Sequence, residues 1–165
     1  MPTETIAQRM QRDRLFYGSL IPEEILVLET WLESNHARYT KLEFDVHIGL
    51  GRDPGSLYSD ADRQGWIRKT QKRIDAVLWQ DTFPTLVEVK RRATPSALGQ
   101  LITYRNLWLA EGRSVRIPSL LLICANCDPD LQLALSAEQI ETAQVSPDWS
   151  RLREPTRDRK GGVNP

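Results

Sequence analysis

Hydrophobic positions recur along this chain with two different periods, and the switches between them lay out its elements. Residues 1–20 read as an N-terminal helical extension closed by the turn signal Tyr17-Gly18-Ser19. Pro22, with Glu23 and Glu24 behind it, opens a helix whose stripe Ile21, Ile25, Leu28 and Leu32 runs to about Asn35. Leu42, Phe44, Val46 and Ile48 then alternate with Glu43, Asp45 and His47, the period of a half-buried strand. Gly49 to Thr70 is rich in turn formers and charge, and is long for a structureless loop, so it is either functional or partly ordered by contacts. Arg73 to Trp79 and Thr85 to Val89 predict a hairpin joined by Gln80-Asp81-Thr82-Phe83-Pro84. Thr94-Pro95 starts a helix that Leu98, Leu101, Ile102, Leu107 and Leu109 carry to Glu111-Gly112. The continuous apolar run Pro118 to Cys124 predicts a central strand covered on both faces. Asp128-Pro129 opens a helix through Leu131 and Leu135 toward Ile140, and a short strand follows near Thr142 to Val145. The expectation is an α/β domain over residues 21–145, a mixed central β-sheet flanked by helices on both faces. Residues 146–165, rich in Pro, Arg and Gly, read as a disordered tail.

The 165 residues suffice for one core and leave little room for a second domain. No apolar run approaches the roughly 20 residues of a bilayer span, and Met1 to Leu15 lacks the apolar stretch of a secretory signal. No membrane partner and a cytoplasmic location are the expectations. Cys124 and Cys127 form a lone C-x-x-C without a second ligand pair, which reads as reduced, passive thiols.

A net charge of zero, 22 basic against 22 acidic residues, argues at first against a phosphate-binding protein. The charge is segregated, however. Residues 1–60 hold 6 basic and 10 acidic side chains, residues 61–116 hold 11 and 5, and residues 117–165 hold 5 and 7, giving −4, +6 and −2. The middle of the chain is a basic block.

Inside that block, adjacent hairpin strands bring Asp75 and Glu88 close, and alternation puts Glu88 and Lys90 on one face, away from Val87 and Val89. Carboxylates among Ile74, Val77, Val87 and Val89 are costly without a partner, and a hard divalent cation is the partner that two of them share most naturally. The plain alternative is a salt bridge between Lys90 and one acid at a strand edge.

An Asp, then Glu88-Val89-Lys90, then a helix bearing Gln100 and Tyr104, resembles the PD-(D/E)XK nuclease superfamily, in particular its branch with a Q-x-x-x-Y helix, as in RecB-like exonuclease domains and mismatch- or branch-processing endonucleases. The element order matches over roughly Pro22 to Val145, and the motifs are specific from Asp75 to Arg105. Ile74 stands where the family name has its Pro. The resemblance implies a restriction-endonuclease-like core and a metal-dependent deoxyribonuclease using Mg²⁺, with Mn²⁺ as a substitute. It implies that Asp75, Glu88 and the main-chain carbonyl of Val89 hold the metal, that Lys90 positions the attacking water, and that Gln100 points into the site. Tyr104 would touch the DNA backbone or support Gln100, its alternative being a half-buried core aromatic.

Many members also bring in a first-helix Glu. On a helical wheel Glu29 and Glu24 flank the apolar stripe on opposite sides and Glu33 lies farther out; Glu29 is the choice here. Arg73, Arg91, Arg92 and Arg105 read as phosphate grips around the site. Arg63, Arg68, Lys69 and Lys72, interleaved with Tyr58 and Trp66, suit backbone contacts plus stacking on an unpaired base. His36 and His47 stand apart from this set, and Gly49-Leu50-Gly51 is no nucleotide loop. DNA is the expected partner, within a homodimer or a larger nucleoprotein machine. Two rivals remain: a nucleic-acid-binding or assembly module that does not cut, and a nuclease acting on RNA.

Overall fold

The computed structural model describes residues 17–153; the helix expected before Tyr17 and the tail from residue 154 lie outside the described residues. Within them the order is α1 (Pro22–Asn35), a 3-10 turn (His36–Arg38), β1 (Lys41–Ile48), α2 (Asp60–Thr70), β2 (Lys72–Gln80), β3 (Phe83–Arg92), α3 (Pro95–Ala110), β4 (Ser119–Asn126), α4 (Pro129–Ala137), β5 (Ile140–Gln144) and a 3-10 turn (Trp149–Arg153). The strands form one five-stranded sheet in sequence order. β1, β2 and β3 pair antiparallel, β3, β4 and β5 parallel, so the sheet is mixed and open.

One apolar layer lies under α1, with Leu28, Leu32, Val87, Val89, Leu121 and Ile123. The other lies under α3 and α4, with Leu86, Leu101, Trp108, Leu122, Leu131 and Leu135. β4, inside the sheet and covered on both faces, buries Leu120 to Cys124 completely or nearly so, as a continuous apolar run requires. Among the described residues no helix is long and apolar enough to cross a membrane.

Several details depart from the pattern. α1 buries a broader face than its stripe, Leu26, Val27, Leu28, Glu29, Trp31 and Leu32, whereas Ile21 caps the helix half exposed. The hairpin turn is Asp81-Thr82 alone, because Gln80 pairs with Phe83 and Asp81 adopts the left-handed region at φ 56°. Ile140 begins β5 rather than ending α4, which stops at Ala137. Residues 149–153, expected in the disordered tail, form a turn against α1, where Arg151 meets Glu33 at 3.3 Å and Arg91 lies over the Trp149 ring at 5.3 Å.

The segment expected as a loop contains α2. Ser59 caps it by accepting from Asp62 N–H, Asp60 and Asp62 occupy its first turn, and Arg68 and Lys69 its last, which suits the helix dipole. It buries no residue, so no apolar stripe announces it.

β1 and β2 change faces at the same rung. Phe44 and its partner Ala76 pack in the α1 layer, whereas Val46 and its partner Ile74, two residues away, pack in the α3 layer. Strict alternation would keep each pair on one side. The rung between them, Asp45 opposite Asp75, is missing from the ladder, and Asp45 has φ 51°. This left-handed residue turns the strand over and swings the outer half of the β1–β2 pair onto α3.

Gly18, itself at φ 57°, covers the turnover so closely that a Cβ there would run into the Asp45 carboxylate. Gly18→Ala is therefore expected to lower stability by about 1–3 kcal/mol in urea unfolding. Gly65→Ala, inside α2 with open space around it, is expected to raise it by up to about 1 kcal/mol. Equal effects from the two would contradict the close approach.

Candidate active site

The β2–β3 ladder ends at Ala76–Val87. The next rung would set Asp75 opposite Glu88, but the strands part there. Asp75 Oδ2 instead accepts the Val89 N–H at 2.8 Å. Beyond the fork, β2 stays with β1 through Ile74, Arg73 and Lys72, and β3 stays with β4 through Glu88, Val89, Lys90 and Arg92. The fork holds two carboxylates that are 7% and 1% exposed, Asp75 and Glu88.

Lys90 and Glu88 share a face of β3, and their side chains meet at 2.6 Å, Nζ to Oε1. The Tyr104 hydroxyl is the other donor beside the Glu88 carboxylate. Burial and then the adjacent Glu88 charge push the Asp75 carboxyl up to about 8. Burial also raises Glu88, against the pull of Lys90. For Lys90, burial alone would lower the amine, but Glu88, Asp75 and Glu24 outweigh it and hold the amine above its ordinary value.

α3 supplies the wall. Pro95 starts it just after β3, which sets Gln100 and Tyr104 one above the other, with Gln100 Nε2 donating to the Tyr104 hydroxyl at 3.3 Å. Tyr104 is 3% exposed, so its ring is a core aromatic, more deeply buried than the half-buried alternative, while its hydroxyl lies beside Glu88. Burial, then the Glu88 and Asp75 charges, raise its phenol, which stays protonated as a donor.

The first-helix acid at the cluster is Glu24. Its Oε1 lies 3.7 Å from Lys90 Nζ, and its charge raises both Asp75 and Glu88. The same carboxylate accepts the Ile21 N–H at 3.5 Å, fixing the start of α1. Glu29, chosen from the wheel, lies away from the pair: Tyr17 donates to it at 3.1 Å and Arg151 approaches at 3.9 Å. Both acids flank the stripe equally well, and only which turn of α1 lies nearer the fork separates them.

The basic residues distribute less compactly than expected. Arg73 pairs with Asp45 at 3.4 Å, Arg91 covers Trp149, and Arg105 reaches Glu138 at 3.6 Å on the α4 side. Arg92 is exposed at the end of β3. Lys69, Lys72 and Trp66 are exposed on α2 and the start of β2, before Asp75 in the chain. His36 and His47 hydrogen-bond to backbone carbonyls, of Leu32 and Arg68. Cys124 and Cys127 are free and buried; burial and its neighbour Cys127 push the Cys124 thiol up to about 12, so it is an inert thiol at neutral pH.

Among the described residues no three His, Cys, Asp or Glu side chains gather closely enough to grip a metal ion by themselves. The chain matches no family model, no curated protein and no solved structure.

The raised carboxyls fix a pH dependence. Between the unfolded and folded pKa of Asp75 the unfolded chain has lost a proton that the folded chain keeps, so stability falls as pH rises. From pH 5 to 8.5 in EDTA, unfolding free energy is expected to drop by at least about 1.4 kcal/mol, the equivalent of one pKa unit. Asp75→Asn should flatten that slope and melt higher than wild type at pH 8.5. A wild-type slope that survives Asp75→Asn unchanged would assign it elsewhere.

Proposed function

We propose that the chain is a metal-dependent deoxyribonuclease on a restriction-endonuclease-like core, hydrolysing phosphodiester bonds at the β2–β3 fork. The observation that carries this reading is the Asp75–Glu88 pair, two buried carboxylates gathered beside a single cation, Lys90. A salt bridge made only for structure would need one acid, not two that repel each other.

The donor set fits a divalent ion such as Mg²⁺, or Mn²⁺ in its place. Mg²⁺ keeps much of its water and binds through one or two carboxylates plus substrate phosphate, so two side chains are enough. Asp75, Glu88 and the Val89 carbonyl would hold it, with Glu24 behind Lys90 as a further acid on the same cluster. Bound there, such an ion would relieve the carboxylate repulsion and supply positive charge to a phosphate and its attacking water.

The chain's own groups perform the rest. Lys90, protonated and held between Glu88 and Glu24, is placed to hold water or a phosphate oxygen and to offset negative charge developing in the transition state. Tyr104 and Gln100 stand on the α3 side of the cluster, Gln100 donating to the Tyr104 hydroxyl that lies beside Glu88. Arg92 and Lys72, exposed at the ends of β3 and β2, are free to meet the phosphate backbone.

Cleavage of plasmid and of labelled single-stranded DNA with Mg²⁺ or Mn²⁺, against EDTA, tests the reading. Asp75→Asn, Glu88→Gln and Lys90→Met should each lose on the order of 10²-fold or more in rate while remaining folded. Mg²⁺ should raise the wild-type melting temperature at pH 8.5 and leave Asp75→Asn unmoved. Salt-sensitive DNA binding without turnover under any divalent ion would favour the non-cutting module. Cleavage of matched RNA with DNA left intact would favour the RNA enzyme.

A further inference from the structure

The connection 49–71 between β1 and β2 lies outside the cluster at the fork, yet it is folded. α2 is fastened to the end of β1 by polar contacts: His47 Nδ1 with the Arg68 carbonyl at 3.0 Å, Arg52 N–H to the Thr70 hydroxyl at 2.7 Å, and Gln71 Nε2 to the Gly49 carbonyl at 2.7 Å. Arg63 clamps Asp53 with two hydrogen bonds, at 3.0 and 2.5 Å, and so ties the preceding loop to the helix. No residue of α2 is buried. Ordering a segment costs conformational entropy that core burial normally repays, and here it repays little: of the apolar side chains of α2 only Ile67 is even partly covered, Ala61 and Trp66 being exposed.

What that order achieves is display. Tyr58 is 55% and Trp66 53% exposed. Arg52, Arg68 and Lys69 are exposed in the same segment and Lys72 just after it, with no carboxylate at ion-pair distance among the described residues, whereas Arg63 is already taken by Asp53 and Asp60. Scattered apolar side chains on a surface need no explanation, but aromatic rings interleaved with unpaired cations combine two recognition elements. The cations suit phosphates and the rings suit the faces of bases. Inside a duplex those faces are stacked and covered, so the rings gain contact only with an unpaired strand.

We propose that α2 and the loop before it form a platform for an unpaired DNA strand, so that the substrate class of the fork is DNA carrying a single-stranded segment. The inference rests on the nuclease reading for the reaction and adds the form of DNA on which it acts. Position supports it. Thr70 ends α2 and Asp75 lies five residues later in the chain, which an extended strand covers in on the order of 17 Å. With Trp66 four helical residues before Thr70, the chain holds a strand stacked on it within roughly 23 Å of Asp75, and Lys72 and Arg73 lie along the way.

Binding is measured by fluorescence anisotropy with the full-length Asp75→Asn protein in EDTA, so that nothing is cut. The probes are labelled oligothymidylate, a mixed-sequence duplex of equal length, and oligouridylate. Oligothymidylate is expected to bind about tenfold or more tighter than the duplex. Trp66→Ala should weaken oligothymidylate binding by on the order of 5- to 100-fold, with Trp66→Phe recovering most of it and neither variant altering duplex binding. Lys69→Ala should reduce the salt slope by about 0.7. Equal affinity for duplex and single strand, indifference to Trp66→Ala, or binding of oligouridylate alone would each overturn the proposal. The two readings fail separately: if wild type cleaves duplex DNA and the platform variants cleave every substrate normally, the platform falls and the nuclease stands. If Trp66-dependent single-strand binding is found without cleavage, the platform stands and the nuclease falls.

Discussion

One hydrogen bond organises the middle of this molecule. The Val89 N–H, which in a continued hairpin would serve the ladder, goes to the Asp75 carboxylate at 2.8 Å. With that bond made, β2 and β3 no longer complete their pairing, and each keeps its other neighbour, β1 or β4. A sheet so divided has room between its halves, and the room is occupied by acids. Lys90 can then reach Glu88 on the α3 side and Glu24 from α1, although the two helices lie on opposite faces of the sheet. Sealing the fork with a normal rung would remove the place where the two layers communicate.

The arrangement is not one that stability alone selects. Asp75 and Glu88 sit where burial and mutual repulsion favour the protonated forms, and Tyr104 is pressed against the same charges. Lys90 compensates for part of this and cannot compensate for both acids. Groups held away from their preferred ionisation concentrate where chemistry is done. A neutral core of equal volume would be more stable here and would offer nothing to a cation or a phosphate.

The sequence carries this cluster unusually openly. The two-residue step from Glu88 to Lys90 and the four-residue step from Gln100 to Tyr104 are rules of local geometry, and the side chains they join do meet; the hairpin spacing brings Asp75 and Glu88 into electrostatic reach, but across a fork and not on a paired rung. The five strands and three of the four helices are legible as elements too, but the stripe read for α3 coincides with its buried face only at Leu101: the helix buries Ala97, Leu101, Tyr104 and Trp108, leaves Leu98, Ile102 and Leu107 partly buried, and exposes Leu109. What was not legible depends on tertiary placement. α2 has no buried face, so its signals were a cap and its charges rather than a stripe. Glu24 and Glu29 are equivalent on a wheel and differ by which end of α1 overlies the fork. Arg73, Arg91 and Arg105 are close to the motif in sequence, but acids and a ring brought from Asp45, Glu138 and Trp149 claim them.

The turnover at Asp45 bears on how such a chain can vary over generations. β1 and β2 cross from one apolar layer to the other at a single shared level, so an inserted residue in one strand alone would shift its crossing point and send Val46 and Ile48, or Ile74, toward water. Length can change in the pair only if both strands change together, which single insertions do not accomplish. The connection between them is under no such constraint, because none of α2 belongs to either layer. Lineages carrying this sheet would be expected to keep the lengths of β1 and β2 and to differ in what they carry between them.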